Sequence, residues 1–184
     1  MEVKHLRMDE LNAGLEEIRQ SPADVGVLKL IVRRPAICER EILEEGQLDL
    51  ATGLVGDNWM TRGNLVTPKR TANLDTQLTI MNTRVADLVA GSQARWPLAG
   101  DQLYIDLNLG LVNLPAGTRL AIGSAAVEVT AVPHTGCKKF VERFGMDAMD
   151  FVNSSDGKQL CLRGINTRVV KAGPIRRGDA VIKQ

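Results

Sequence analysis

The run Val132-Pro133-His134-Thr135-Gly136-Cys137-Lys138-Lys139-Phe140 carries the residue types best suited to chemistry. A strand-like stretch precedes it and a helix-like one follows, so Cys137 falls at a helix start. A thiol there feels the positive end of the helix dipole, and two lysines and a histidine lie within three residues of it. Each of these favours the thiolate, the form that attacks electrophiles, carries sulfur or binds soft metals. Gly136 allows a ligand close approach. Cys137, Lys138 and His134 are therefore the candidate catalytic set. The competing reading is a buried, inert thiol, and the cationic neighbours argue against it.

The other candidates weigh differently. Cys161 stands between Leu160 and Leu162 in a strand-like stretch, and both Cys161 and Cys38 read as packing residues. Cys137 and Arg143 have the C-x5-R spacing of cysteine phosphatases. That chemistry needs a loop of backbone N–H groups curled around phosphate, whereas the intervening residues lack glycine and favour helix. His134 and Cys137 have zinc-ligand spacing, but His5 is the sole other histidine and no C-x2-C exists to complete four ligands. The glycine-bounded loop Gly56-Asp57-Asn58-Trp59-Met60-Thr61-Arg62-Gly63 offers Asn58 and Arg62 to an anion, or is a surface turn anchored by Trp59. Asn82-Thr83-Arg84 joins a strand to a helix as an N-cap, with Arg84 as a ligand candidate.

Positioning these residues falls to many short elements. Leu11, Leu15 and Ile18 predict an amphipathic helix over 9–20, weakened at Gly14 and ended by Pro22. Val25 to Arg34 predicts a strand, and Ile37 to Pro68 a strand with an extended loop. Leu78 to Asn82 predicts a buried strand and Thr83 to Gly91 a helix. Strands follow at Leu103 to Asp106, Leu111 to Leu114, Thr118 to Ile122 and Ala125 to Val132, broken by Gly110, Pro115-Ala116-Gly117 and Gly123-Ser124. A helical pair spans Gly136 to Phe144 and Asp147 to Asn153. Gln159 to Arg163, Asn166 to Lys171 and Ala180 to Lys183 read as strands, with Gly173 to Asp179 as a turn. The sum is one domain over 1–184, mainly β with peripheral helices, arranged as a barrel of short strands.

Composition excludes several classes. At 184 residues the chain can bury a core without disulfides. Aromatics make up 3%, so the core must be aliphatic and base-stacking surfaces are poorly supplied. A net charge of +1 gives no general pull on nucleic acid or membrane, and Arg33-Arg34 and Arg176-Arg177 read as solvated surface. Met1 to His5 lack an apolar signal region, and no apolar run approaches a membrane span. Three widely spaced cysteines fit a reducing cytoplasm.

Taken in order, these pieces resemble the MOSC domain, the C-terminal domain of molybdenum cofactor sulfurases and its stand-alone bacterial relatives. The resemblance runs over about residues 25–183, through Gly56-Asp57, Gly100-Asp101-Gln102-Leu103, Leu114 to Gly123, Val127-Glu128-Val129-Thr130, the Pro-x3-Cys137-Lys138 run, Gly164 to Val170, and Arg177-Gly178-Asp179. It implies a β-barrel whose Cys137 carries a persulfide sulfur or presents a thiolate to molybdenum, with Lys138 and His134 lowering its pKa. Asn58, Arg62, Asn82, Arg84 and Arg168 are then candidates to bind molybdenum cofactor, the three arginines by its pterin phosphate. Residues 58–64 read NWMTRGN where the family often has a His-Gly-Gly stretch, and Asp101-Gln102 stands for its usual Glu-Asn. The expected partners are this cofactor or a related pterin and a sulfur-donor or electron-transfer protein. Pyridoxal phosphate enters only through a separate partner. Two other activities are implied as alternatives: a non-catalytic module that binds a pterin or anionic small molecule for delivery, and a molybdenum-dependent reductase of N-hydroxylated compounds.

Overall fold

A computed structural model describes residues 5–63 and 71–184, so Met1 to Lys4, Asn64 at the end of the NWMTRGN loop, and the close of the 37–68 stretch lie outside it. The chain opens with α1 (Met8–Ala13) and α2 (Leu15–Arg19). They replace the single helix expected over 9–20. Gly14 separates them, and a Cβ there would fall 2.6 Å from the Leu88 side chain. The break therefore lets a later helix pack closely.

Next come β1 (Val25–Arg33), β2 (Glu41–Leu43), β3 (Glu45–Asp49), β4 (Gly53–Leu54) and the single turn α3 (Trp59–Arg62). They are followed by β5 (Leu78–Asn82), α4 (Thr83–Ala90), β6 (Leu103–Asp106), β7 (Arg119–Ile122) and β8 (Ala125–Val129). Three helices, α5 (Lys138–Phe144), α6 (Met146–Asn153) and α7 (Ser155–Gln159), precede β9 (Ile165–Lys171), β10 (Gly173–Arg176) and β11 (Ala180–Lys183).

Seven strands pair in the circular order β1-β6-β5-β9-β8-β7-β11, and β11 returns to β1 through Val25 opposite Ile182. The barrel is antiparallel except between β5 and β6, which the α4 crossover joins in parallel. A separate sheet, β10-β3-β4, adds Leu48, Leu54 and Ile175 to the core. Alternation along the strands divides the apolar residues. Ile80, Leu103 and Ile105 belong to one cluster, while Met81 and Tyr104 join the helices in a second. The first cluster contains no aromatic residue; Trp96, Tyr104, Phe140, Phe144 and Phe151 all lie in the second. An aliphatic barrel interior is what the scarcity of aromatics demands.

Three expected elements differ. Leu111 to Leu114 form a tight turn, with Asn113 and Leu114 N–H groups both donating to the Gly110 carbonyl, and Val112 is fully exposed. Gln159 to Arg163 end α7 and turn, because Ser154 caps that helix through the Gly157 N–H at 2.9 Å and Cys161 adopts a φ of +50°. The stretch from Gly173 is a strand, β10, pairing with β3 at the sheet edge that tolerates Pro174. No helix among the described residues is long and apolar enough to cross a membrane.

Leu103 is wholly buried where β6 meets both β1 and β5. Leu103→Ala is expected to cost about 3–5 kcal/mol of unfolding free energy in urea titration. A loss below about 1 kcal/mol would show that this layer is loosely packed.

Candidate functional site

At one end of the barrel lies a cleft of about 210 Å3 whose wall includes Cys38, Cys137, Asn58 and His134. Six cations share that wall: Arg34, Arg40, Arg62, Lys139, Arg143 and Arg163. Among the described residues, no carboxylate does.

Two of the cations are fixed by buried acids. Arg34 donates to both carboxylate oxygens of Asp57 at 2.8 Å and to the Gly100 carbonyl at 2.8 Å. Arg163 donates to Asp101 at 2.7 Å and to the Ala99 carbonyl at 2.8 Å, with its guanidinium 5.1 Å from the centre of the Phe140 ring. The Asp57 and Asp101 side chains are both 0% exposed. Arg34 is therefore no solvated surface residue, contrary to the expectation for Arg33-Arg34. Arg33 does face outward and pairs with Glu41. Gln102 joins the network, accepting from the Thr79 backbone N–H at 2.9 Å and from its hydroxyl at 2.7 Å.

The remaining cations are anchored by backbone or reach in from the rim. Arg40 donates to the carbonyls of Glu39 and Pro97, and Arg143 to that of Leu98. A Cβ on Gly100 would stand 3.7 Å from Arg40 and 3.9 Å from Arg143, so the two guanidiniums converge above that glycine. Burial, then Arg143 and Arg34, lower the pKa of Arg40. Burial, then Arg34, lower that of Arg62. Positive charge is crowded here beyond what the protein itself compensates.

Cys137 is exposed and forms the N-cap of α5. Its loop is clamped by Asn153, which accepts from the Gly136 N–H at 2.8 Å and donates to the Gly136 carbonyl at 3.3 Å. Asn166 holds the preceding residues through the carbonyls of Val132 and Pro133. Residues after Cys137 are helical, so they do not curl as a phosphatase loop would. Arg143 still reaches the cleft, because Lys139, Phe140 and Arg143 lie along one face of α5.

His134 is 17% exposed, and its Nδ1 lies 3.5 Å from an Asp101 oxygen. Burial, then the Arg163 guanidinium, push its pKa from 6.5 down to about 3 against the pull of Asp101. The ring is neutral and adds no positive charge beside Cys137, so the expected electrostatic help from His134 is missing. Gly164 makes room for it: φ is +108°, and a Cβ would meet the Ile80 carbonyl at 2.3 Å and His134 Nδ1 at 3.3 Å. His134 also borders a second cavity of about 590 Å3, lined by apolar residues such as Leu114, Val129 and Ile165 and by Cys161.

Four buried polar atoms lack a hydrogen-bond partner among the described residues: Asn58 Oδ1, Asp101 Oδ1, His134 Nδ1 and Arg163 Nε. Three of the four residues line the cleft, and Asp101 sits directly behind. Such atoms are costly to leave unmatched. Their convergence marks a place where polar ligand atoms are wanted.

The structure brings together Cys137, His134, Asn58 and Arg62 from the expected set. Lys138 is exposed and does not line the cleft, whereas its neighbour Lys139 does. Asn82, Arg84 and Arg168 are outside the cleft, each with structural partners. Asn82 caps α4 and bonds Ser21 and the Leu107 carbonyl. Arg84 pairs with Asp106 and Glu17, and Arg168 with Glu128 and Asp75. Sequence reasoning missed Arg34, Arg40, Arg143 and Arg163. It also placed Cys38 in packing, yet Cys38 is exposed in the cleft wall. Cys161, read as strand packing, lies in a turn, half-buried against the barrel core.

No family model matches the chain, and no curated protein matches it in sequence. Solved structures do. YuaD protein from Bacillus subtilis is 15% identical with a TM-score of 0.61, over 86% of this chain and 95% of that one. YiiM from Escherichia coli is 16% identical with a TM-score of 0.55, over 86% and 69%. YiiM from Geobacillus stearothermophilus is 14% identical with a TM-score of 0.53, over 89% and 74%. At these identities the likeness establishes the fold, a MOSC-like β-barrel.

Two outcomes follow from the buried charges. Asp57→Ala strands Arg34 and is expected to cost about 3–5 kcal/mol in stability by urea titration. His134 should make stability fall in acid. The unfolded ring takes up a proton near 6.5 and the folded one near 3, so its contribution is complete above the first value and lost as pH drops toward the second. His134→Gln should remove a slope of up to about 1.4 kcal/mol per pH unit. Parallel wild-type and variant slopes would mean that the folded ring titrates normally.

Proposed function

We propose that this protein works in molybdenum-cofactor-linked sulfur transfer or redox chemistry, with Cys137 as the sulfur carrier or the molybdenum-facing thiolate. The reading is carried by one observation, an exposed thiol sharing a wall with six cations and, among the described residues, no carboxylate, where Asn58, His134 and Arg163 each leave one buried polar atom unmatched. Guanidinium groups suit phosphate in particular, because their paired donors match its oxygens.

The donor set fits the cofactor. Arg40, Arg62, Lys139 and Arg143 would hold its phosphate, the Nε of Arg163 would donate to a ligand acceptor, and Asn58 Oδ1 would accept from a ligand N–H. When bound, the cofactor supplies a metal that accepts sulfur or cycles electrons. The chain's own part is to orient the ligand by charge and to hold Cys137 toward it through the Asn153 clamp. His134, held neutral, offers the ligand an imidazole nitrogen as a hydrogen-bonding group. Asn82, Arg84 and Arg168 have no part in this reading, since structural partners occupy them.

A binding module that delivers an anionic ligand without turnover would use the same cations and have no need of the thiol. Native mass spectrometry with elemental analysis, on protein expressed with molybdenum available, separates the two. Molybdenum or an added sulfur of about 32 Da should be present and should be lost in Cys137→Ala. Retention of ligand and of cellular function in that variant would favour the binding module. Replacing Arg40 and Arg143 together by alanine should weaken inorganic pyrophosphate binding about 10- to 100-fold by calorimetry. An unchanged affinity would move the anion site elsewhere.

A further inference from the structure

Cys38 is the feature of this cleft that the proposed function leaves unused. It occupies the turn Ala36-Ile37-Cys38-Glu39, closed by the Glu39 N–H on the Ala36 carbonyl at 3.1 Å. Its φ is +66°, the conformation that the third residue of a type II turn requires and that glycine adopts without strain. A cysteine there costs about 1–2 kcal/mol of backbone strain. The residue contributes no core packing in return, because it is exposed. What it does supply is a second thiol in the wall that already holds Cys137. The third thiol, Cys161, lines the other cavity instead. The ligand-directed character of this wall rests on more than cysteines: Arg163 is 6% exposed, and its Nε is left without a partner in the same cleft.

The turn is also open to solvent. Ala36 to Glu39 are all exposed, and Ile37 reaches 75%. Beyond the turn the chain is tethered again by Arg40 to the Pro97 carbonyl. Both thiols face the same cleft, and a bond between them requires that they come within disulfide range, a Cα separation of about 4.4–6.8 Å.

We propose that Cys38 is the resolving thiol for Cys137, a role that rests on the sulfur-carrier reading above. With a persulfide on Cys137, the Cys38 thiolate attacks the Cys137 Sγ. The bond between that sulfur and the outer sulfur breaks, and the outer sulfur leaves with the electron pair as hydrosulfide. A Cys38–Cys137 disulfide remains. The two thiol sulfurs have lost two electrons in total and the sulfane sulfur has gained them, so no further oxidant is consumed. A thiol reductant restores the pair. The cleft therefore discharges undelivered sulfur as sulfide and pauses in an oxidised state. Transient disulfides of this kind are compatible with a reducing compartment.

The test uses reduced full-length protein loaded with inorganic polysulfide, then followed by intact mass spectrometry, peptide mapping and sulfide release. Wild type should gain about 32 Da on Cys137, then fall to about 2 Da below the reduced mass as sulfide appears and a Cys38–Cys137 peptide forms. Cys38→Ser should hold the adduct at least about tenfold longer. Cys38→Gly should do the same, and because glycine suits the positive φ, its effect cannot be ascribed to a damaged turn. An adduct on Cys137 that decays equally fast in all three proteins, or a disulfide to Cys161, would overturn the resolving role and leave the sulfur-carrier reading intact. No adduct on Cys137 in any protein, Cys38→Ser included, would remove the sulfur-carrier reading and this role with it.

Discussion

The rest of the structure depends on two guanidinium–carboxylate pairs taken out of water, Arg34 with Asp57 and Arg163 with Asp101. Burying an isolated charge is prohibitive, and a buried pair is costly unless its remaining donors and acceptors are also met; Arg34 and Asp57 meet that condition, whereas Arg163 Nε and Asp101 Oδ1 are left unmatched among the described residues. Here each carboxylate follows a glycine at positive φ, Gly56 at +83° and Gly100 at +94°, so the two corners share a local design. They also lock each other. Arg34 donates to the Gly100 carbonyl at the second corner, and Gln102, next to Asp101, sits beside both Asp57 and Thr79. The end of β1, the approach to α3, the start of β6 and the turn after α7 are thereby tied together in one polar layer, and the cleft is the open side of that layer.

Neutralising only two of six cations has an energetic meaning. Like charges held near one another destabilise the folded state; burial first, and neighbouring guanidiniums second, lower the values of Arg40 and Arg62. Anchoring through backbone carbonyls keeps Arg40 and Arg143 from simply swinging away into solvent. A site of this kind is pre-organised for an anion: the cost of gathering the charges is met during folding, and binding relieves it.

Much of the barrel was legible in the sequence because its strands alternate and its turns are marked by glycine. Leu78–Asn82, Leu103–Asp106 and Ala180–Lys183 stand where periodicity puts them. Two of the failures share a cause. Leu111 to Leu114 and Leu160 to Leu162 are apolar without being extended, since turn hydrogen bonds at Gly110 and the Ser154 cap dictate their backbone. The place of Cys137 at the start of α5 was readable from its neighbours along the chain. Arg40, Arg143, Arg163 and Cys38 were not, since their common environment is created by residues distant in sequence. One signal was available for Arg34 and Arg163, the Gly-Asp pairs at 56–57 and 100–101, whose aspartates fix those two guanidiniums; the third such pair, Gly178-Asp179, turns the backbone at Arg176 instead.

The closing contact of the barrel sets Val25 against Ile182, and this governs how the chain reaches its native state. Until β11 arrives, the facing sides of β1 and β7 are open edges with unsatisfied backbone groups, each a template for pairing with another molecule. Long-range closure of this type is slow relative to local hairpin formation. Early in folding, then, β7 and β8 can form their hairpin independently while β1 waits. The interval before ring closure is when this protein is most exposed to self-association and to proteases.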